Sequence, residues 1–145
     1  MNKSIYEQEN RLLSHYEKHL KYYSPIKSRK YFDYMKEVTN INVDDSHCIL
    51  DLGCGDGTLA QYIGNAQYTG VDYSPSRIEL AKKRNTRKSN TTFINSCARK
   101  YVMGSSEQFD LVFAFEFLEH IVNPKELIDC IINAQKQCLM ILLCL

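Results

Sequence analysis

Five short runs of apolar residues along the chain predict its strands. They lie at about residues 47–52, 68–73, 91–95, 109–115 and 138–145. Strands that are apolar almost throughout are typical of parallel sheets whose two faces are both covered by helices. The pattern therefore predicts an α/β fold with a doubly wound parallel sheet.

Helical signals separate these runs. Ser74 can cap a helix that has Pro75 at its first position and reaches about residue 85. A second helix is expected to begin at Asn123-Pro124 and to reach about residue 137. A short third helix is expected at 57–63. Strands and helices thus alternate, as they do in a parallel sheet.

The first 43 residues are predicted to form a helical cap or lid, ahead of a core at residues 44–145. Ser4 and Glu7 match a capping box, and apolar positions then recur close to the helical period. Tyrosines concentrate in this segment, and two interpretations stay open: their rings pack in the core, or they close over a bound cation. These tyrosines are Tyr6, Tyr16, Tyr22, Tyr23, Tyr31 and Tyr34.

The balance of charges argues against a partner held by long-range electrostatic attraction. The 145 residues include 18 Lys and Arg against 17 Asp and Glu, which gives a net charge of +1. A nucleic-acid-binding domain usually carries a clear basic excess. One basic cluster is expected to balance a helix dipole on a solvated face, with nucleic-acid contact as the alternative. It consists of Lys82, Lys83, Arg84, Arg87 and Lys88.

The six cysteines are expected to be free thiols in a cytoplasmic protein. No pair has the CxxC spacing, and the first residues lack the apolar segment of a secretory signal. The longest apolar run, at 138–145, is far shorter than the ~20 residues of a membrane span. The sequence therefore predicts no membrane partner.

The most informative stretch is Asp51-Leu52-Gly53-Cys54-Gly55-Asp56-Gly57, where the first predicted strand ends. Glycines at such a turn let the backbone bend sharply and approach a ligand closely. Asp72 follows at the end of the next strand, where a carboxylate can accept hydrogen bonds from ribose hydroxyls. A dinucleotide-binding turn would need a glycine at position 58, which is Thr58 here, and this argues against an oxidoreductase.

This stretch resembles motif I of the class I S-adenosylmethionine-dependent methyltransferases. The similarity continues through Thr69 to Ser74, Phe109 to Val112, and Glu116 to Pro124. The last block is similar to the small-molecule branch that includes ubiquinone-biosynthesis methyltransferases. The resemblance implies a Rossmann-like core with strand order 3-2-1-4-5 and a ligand crevice between the first and fourth strands.

The resemblance also implies roles for individual residues toward S-adenosylmethionine. The glycine turn would shape the pocket for the methionine part, Asp72 would hold the ribose, and Tyr73 would lie against the adenine. Cys97 stands where many relatives have Asp, and a thiol is a poor acceptor for an adenine amino group. Phe115 would face the cofactor. The expected cofactor-binding residues are Asp51, Gly53, Cys54, Gly55, Gly57, Asp72, Tyr73, Cys97 and Phe115.

His120 is the first candidate for a general base, and Glu116 is the second. Together with Glu119, these side chains would share one face if the segment were helical. Such a set resembles the metal site of RNA-terminus methyltransferases. We expect no metal, and the metal site remains the alternative.

The leading function is methyl transfer from S-adenosylmethionine to a small molecule. Family members usually add two more strands after the fifth, and the sequence ends within the fifth, so we expect a core that is incomplete at its C-terminus. A non-catalytic cofactor-binding or interaction module is therefore the first alternative, and an RNA-terminus methyltransferase is the second. The apolar edge strand at 138–145 is also expected to promote self-association.

Overall fold

A computed structural model describes residues 29–30, 32–34, 36–37, 40–134 and 139–143 of the chain. Five parallel strands form one sheet: β1 (Cys48–Leu52), β2 (Gln67–Asp72), β3 (Thr91–Asn95), β4 (Leu111–Phe115) and β5 (Leu139–Leu143). Their order is β3-β2-β1-β4-β5, which confirms the expected topology. The order reverses between β1 and β4, where Asp51 pairs with Phe113.

Helices cover both faces of the sheet. They are α1 (Pro75–Arg84), α2 (Ala98–Gly104) and α3 (Pro124–Ala134). On one face, Ile78 and Ala81 of α1 pack with Ile49 and Phe113 of the sheet. On the other face, α2 and α3 pack on a second cluster that includes Leu50 and Val112. The doubly wound α/β prediction is thereby confirmed.

Local sequence signals account for the start of α1. Ser74 has extended backbone at the N-cap, and its hydroxyl accepts a hydrogen bond from Arg77 N at 3.5 Å. Pro75 occupies the first helical position, where a missing N–H costs nothing. The helix ends at Arg84, and Asn85 N donates to Ala81 O at 3.1 Å. This helix begins and ends where the sequence predicted.

Two elements differ from the sequence predictions. The helix expected at 57–63 is a single 3-10 turn, Leu59–Gln61, because Gly57 and Gly64 on its two sides have left-handed backbone. The helix α2 had no clear sequence signal, because it has only seven residues and Cys97 provides no side-chain cap.

Little of the predicted N-terminal segment lies within the described residues. The described residues between 29 and 37 are helical. Phe32 is buried in the core, and its ring stacks on Tyr62 with centroids 6.5 Å apart. Of the six tyrosines considered for a lid, only Tyr34 is described, and it is exposed. The helix that we predicted to begin near Ser4 lies outside the described residues, so the 1–43 boundary stays a prediction.

The described part of the chain contains no helix with the length and apolar character of a membrane span. Its cysteines, Cys48, Cys54, Cys97 and Cys130, are all free thiols. Cys138 and Cys144 lie outside the described residues.

Candidate functional site

A glycine turn follows β1 at the point where the strand order reverses. Gly53, Gly55 and Gly57 all have positive φ, at 77°, 54° and 70°. L side chains disfavour this backbone region, and glycine enters it without a steric penalty. The turn is held against β2, because Gly53 N and Cys54 N both donate to Val71 O, at 2.8 and 3.1 Å.

Asp72, at the end of β2, is hydrogen-bonded to the glycine turn. Its Oδ2 accepts from Gly55 N at 2.9 Å, and its Oδ1 accepts from Ser74 N at 2.9 Å. The structure therefore places this carboxylate beside the glycine turn. Both contacts also orient the carboxylate, which can accept further hydrogen bonds from hydroxyl groups.

Tyr73 and Cys97 lie at the carboxyl ends of β2 and β3. Asn95 donates through Nδ2 to Tyr73 O at 2.6 Å, and Ser96 N donates to Asp72 O at 3.1 Å. Cys97 is half-buried and stands at the N-cap of α2 without a side-chain capping bond. The backbone after β2 is thus fixed by residues from the end of β3.

Asp51 is buried beneath the turn, and Tyr68 of β2 donates a hydrogen bond from its hydroxyl to Asp51 Oδ2. The pKa of Asp51 is raised to about 7, because burial and, to a smaller extent, the negative charge of Asp72 outweigh the opposing effect of the Tyr68 hydrogen bond. Burial also raises the pKa of the Cys54 thiol, so this cysteine is a neutral packing residue.

The end of β4 meets the glycine turn through Phe117. A methyl group added at Gly53 would lie 2.4 Å from Phe117 Cδ2, so the ring occupies the space that a side chain would need. Phe115 is half-buried with its ring centroid 5.2 Å from that of Phe113. Glu116 has a φ of 49°, a strained value for a residue with a side chain. Strained backbone of this kind is concentrated at functional sites.

His120 follows in a 3-10 turn, Leu118–His120. Its Nε2 lies 3.5 Å from Glu119 Oε1. Burial lowers the pKa of His120, while the negative charges of Glu119 and Glu116 act in the opposite direction. A half-buried imidazole with a lowered pKa is neutral at pH 7 and can accept a proton.

The described residues do not support the metal alternative. Within them, no three His, Cys, Asp or Glu side chains come together as a set that could hold a metal ion. Glu116, Glu119 and His120 also lie on irregular backbone and a 3-10 turn rather than on the one face of an α-helix that the alternative assumed.

Three contacts of the site were missed from the sequence. Phe117 packs against Gly53, Tyr68 binds Asp51, and Arg84 binds Asp56 of the turn. Phe117 lies within the Glu116–Pro124 block that resembles the methyltransferase family, so its place in that motif could have marked it as a site residue. Tyr68 and Arg84 carried no such signal, because their partners lie 17 and 28 positions away in the chain.

Comparison with known proteins places this site in a family. Residues 49–137 match the family described as "Methyltransferase domain", which covers the glycine turn, Asp72 and the end of β4. The chain belongs to this methyltransferase family. Together with the relatives and solved structures described next, this match confirms the expected class I S-adenosylmethionine-dependent family and its ubiquinone-biosynthesis-like branch.

Relatives of this methyltransferase chain include ubiquinone biosynthesis O-methyltransferases. The mitochondrial protein of Schizosaccharomyces pombe is 34% identical over 113 residues, which cover 72% of this chain and 40% of that protein. The protein of Pseudoalteromonas translucida is 31% identical over 60% of this chain and 38% of its own length. The chain therefore spans about two fifths of the length of these relatives.

Solved structures share the fold. A coclaurine N-methyltransferase bound to N-methylheliamine and S-adenosylhomocysteine has a TM-score of 0.67 and 26% identity, over 79% of this chain and 35% of that one. Phosphoethanolamine N-methyltransferase 1 of Haemonchus contortus has a TM-score of 0.71 and 16% identity, over 95% of this chain and 31% of that one.

The site of this methyltransferase chain fits S-adenosylmethionine, the cofactor that its family uses. Gly53, Gly55 and Gly57 give the turn a backbone shape that residues with side chains rarely adopt, and glycine turns of this kind let a ligand approach the backbone closely. The adjacent Asp72 supplies the carboxylate that suits ribose hydroxyls. The fold and the chemistry of the donor set thus agree with the expected cofactor.

Proposed function

We propose that this protein transfers a methyl group from S-adenosylmethionine to a hydroxyl oxygen of a small molecule. The observation that carries the proposal is the hydrogen bond from Gly55 N to Asp72 Oδ2, which joins the glycine turn to a carboxylate that would accept hydrogen bonds from the ribose. The choice of oxygen is supported by the relatives, which are named as O-methyltransferases.

The cofactor residues would act through shape and hydrogen bonding. Asp72 would accept hydrogen bonds from the ribose, and Tyr73 and Cys97 would border the adenine. Phe115 would contact the cofactor from β4. The remaining residues would shape the pocket for the methionine part: Asp51, Gly53, Cys54, Gly55 and Gly57. Asp51 and Cys54 are buried, so they would act by supporting the turn from beneath. The bound cofactor supplies a methyl group that its sulfonium already activates, so the protein mainly aligns the acceptor.

His120 would take the proton from the acceptor hydroxyl. Its lowered pKa keeps the imidazole neutral, and a neutral ring nitrogen can accept a proton as the oxygen attacks. Glu116 is the second candidate for the general base, and its carboxylate would orient His120 or accept the proton in its place. Phe117, which packs on Gly53, links this acceptor side to the cofactor turn.

The test is release of S-adenosylhomocysteine with a panel of phenols and catechols, compared with amines, by wild type and His120→Gln. We expect turnover with hydroxyl acceptors and a loss of about 10²-fold or more in kcat for His120→Gln. The matched control is His47→Gln, because His47 lies just before β1, at the opposite end of that strand from the glycine turn. Equal kcat in wild type and His120→Gln would remove His120 as the base.

The non-catalytic alternative is an outcome of the same assay. S-adenosylhomocysteine binding without turnover on any acceptor would favour a cofactor-binding module. The fold alone does not decide this point, since a [4+2]-cyclase shares it with a TM-score of 0.61 at 23% identity.

The proposal includes a cytoplasmic location and no nucleic-acid partner. The free cysteines of the described residues support a reducing compartment. Two members of the basic cluster bind the protein itself, since Arg84 binds Asp56 and Lys88 donates to Gly64 O at 2.7 Å. Cell fractionation and a gel-shift assay with RNA and DNA would test these two points.

A further inference from the structure

The last turn of α1 packs against the end of the glycine turn. Arg84 donates through Nη1 to Asp56 Oδ2 and to Thr58 Oγ1. Thr58 in turn donates from its hydroxyl to Asp56 Oδ1 at 2.6 Å and from its N–H to the same oxygen at 3.2 Å. These three side chains form a closed set of hydrogen bonds at the end of the turn.

Asn85 completes the contact one residue further along. Its side-chain Nδ2 donates to Gly57 O at 3.0 Å and to Ala81 O at 2.9 Å. Asn85 is 4% exposed, so these bonds form in the protein interior, where an unpaired carbonyl would be costly. The backbone of Gly57 is thereby fixed to the end of the helix.

We propose that Arg84 and Asn85 are positioning residues of the cofactor site, which hold the glycine turn in its binding shape. This inference rests on the proposed cofactor binding. Neither residue needs to touch the ligand. They act through Asp56, Gly57 and Thr58, which continue directly from Gly55.

Contacts from β2 and from the end of α1 hold the two ends of the turn. Asp72, the last residue of β2, binds Gly55 N, while Arg84 and Asn85, where α1 ends, bind the segment from Asp56 to Thr58. The turn contains three residues with positive φ, so it needs outside contacts to select one backbone conformation. Contacts from the end of β2 and from the end of α1 supply that selection before a ligand arrives, which reduces the cost of ordering on binding.

The geometry also corrects the expectation for the basic cluster. Arg84 was expected on a solvated face with Lys82 and Lys83, where it would balance the helix dipole. Its side chain is only 27% exposed, and that of Asp56 only 17%. Lys82 and Lys83 are exposed, as expected. Arg84 therefore has a different role from its neighbours in sequence.

The test measures the Kd for S-adenosylhomocysteine by calorimetry in Arg84→Ala, Arg84→Lys and the control Lys83→Ala. Lys83 precedes Arg84 in the same helical turn but is exposed. We expect Arg84→Ala to raise the Kd about tenfold, which corresponds to about 1.4 kcal/mol. Arg84→Lys should recover part of this loss, since an ammonium keeps the charge but lacks the fork of a guanidinium. Lys83→Ala should leave the Kd unchanged.

A double-mutant cycle separates positioning from general stability. If Arg84 acts through Asp56, then Asp56→Ala with Arg84→Ala should bind no more weakly than Arg84→Ala alone. If the two substitutions raise the Kd independently, so that their fold-changes multiply in the double variant, the proposal is overturned. It is also overturned if Arg84→Ala lowers the Tm but has the same Kd as Lys83→Ala. If Arg84→Ala fails to fold, Arg84→Lys decides, because a Kd equal to that of wild type then overturns the proposal. Failure of wild type itself to bind would instead refute the proposed function, and the inference with it.

Discussion

Replacing Gly57 with alanine is the most direct test of how tightly the cofactor turn is packed. Gly57 has a φ of 70°, in the left-handed region. An added Cβ would lie 2.8 Å from Ala81 Cβ, 2.8 Å from Phe93 Cε1 and 2.9 Å from Asn85 Nδ2. Two of these neighbours are rigid groups of the core, so the substitution combines backbone strain with a steric clash.

The expected loss of stability follows from these two effects. Left-handed backbone costs a residue with a side chain about 1–2 kcal/mol. Overfilling a packed core costs about 1–3 kcal/mol. Alanine also restricts the unfolded chain, which offsets about 0.4–1 kcal/mol. We therefore expect Gly57→Ala to lower the free energy of unfolding by about 1–4.6 kcal/mol, whereas the whole free energy of unfolding is typically about 5–15 kcal/mol for a domain.

Urea unfolding followed by circular dichroism measures this loss, with Gly104→Ala as the matched control. Gly104 ends α2, and nothing lies within 4 Å of its hypothetical Cβ. We expect the control to be as stable as wild type or slightly more stable, because alanine favours helix. If Gly57→Ala and Gly104→Ala unfold at the same urea concentration, the described packing of the turn is wrong.

Three further predictions concern charge and association. Between about pH 4 and 7 the folded state holds a proton on Asp51 that the unfolded state has lost, so this group lowers stability as pH rises, by up to about 1.4 kcal/mol per pH unit. Asp51→Asn should flatten that slope in unfolding measured by urea at each pH, and an unchanged slope would contradict the buried neutral carboxyl. Asp72→Ala should weaken S-adenosylhomocysteine binding by roughly 10-fold or more, because it removes charge-assisted hydrogen bonds worth about 1.5–3 kcal/mol each. The control Glu119→Ala should bind S-adenosylhomocysteine nearly as tightly as wild type in the same calorimetry. A larger loss of affinity in Glu119→Ala than in Asp72→Ala, together with tighter binding when Mn²⁺ is added, would favour the metal alternative. The strand β5 pairs with β4 and lies at the edge of the described sheet. We expect copies of the chain to associate through this edge, and Leu143→Lys should then reduce light scattering at high protein concentration, because a charge on an edge strand opposes pairing. A wild-type chain that stays monomeric would refute self-association.

Much of the fold could be predicted from the sequence, because its signals are local. Apolar runs bounded by glycine or by Ser74-Pro75 marked the strands and the start of α1. The order of the strands came from the family resemblance rather than from periodicity. The helix α2 was missed because short helices without a capping side chain leave little trace in a sequence.

Only those site residues that belong to a recognisable sequence motif could be predicted. Gly53 and Gly55 follow β1, Asp72 is the last residue of β2, and the structure joins Gly55 to Asp72 by a hydrogen bond. By contrast, Tyr68 and Arg84 reach the site from distant positions, through folding of β2 and α1 onto β1. In sequence, Arg84 is indistinguishable from its basic neighbours, and only the tertiary contact with Asp56 separates them.

The central claim is that this chain binds S-adenosylmethionine in the turn between Asp51 and Gly57. Isothermal titration calorimetry of the wild-type chain with S-adenosylhomocysteine, and separately with NAD, tests it most directly. The account predicts saturable binding of S-adenosylhomocysteine at one site per chain, and no binding of NAD. Saturable binding of NAD without S-adenosylhomocysteine, or no binding of either ligand by the folded chain, would contradict it.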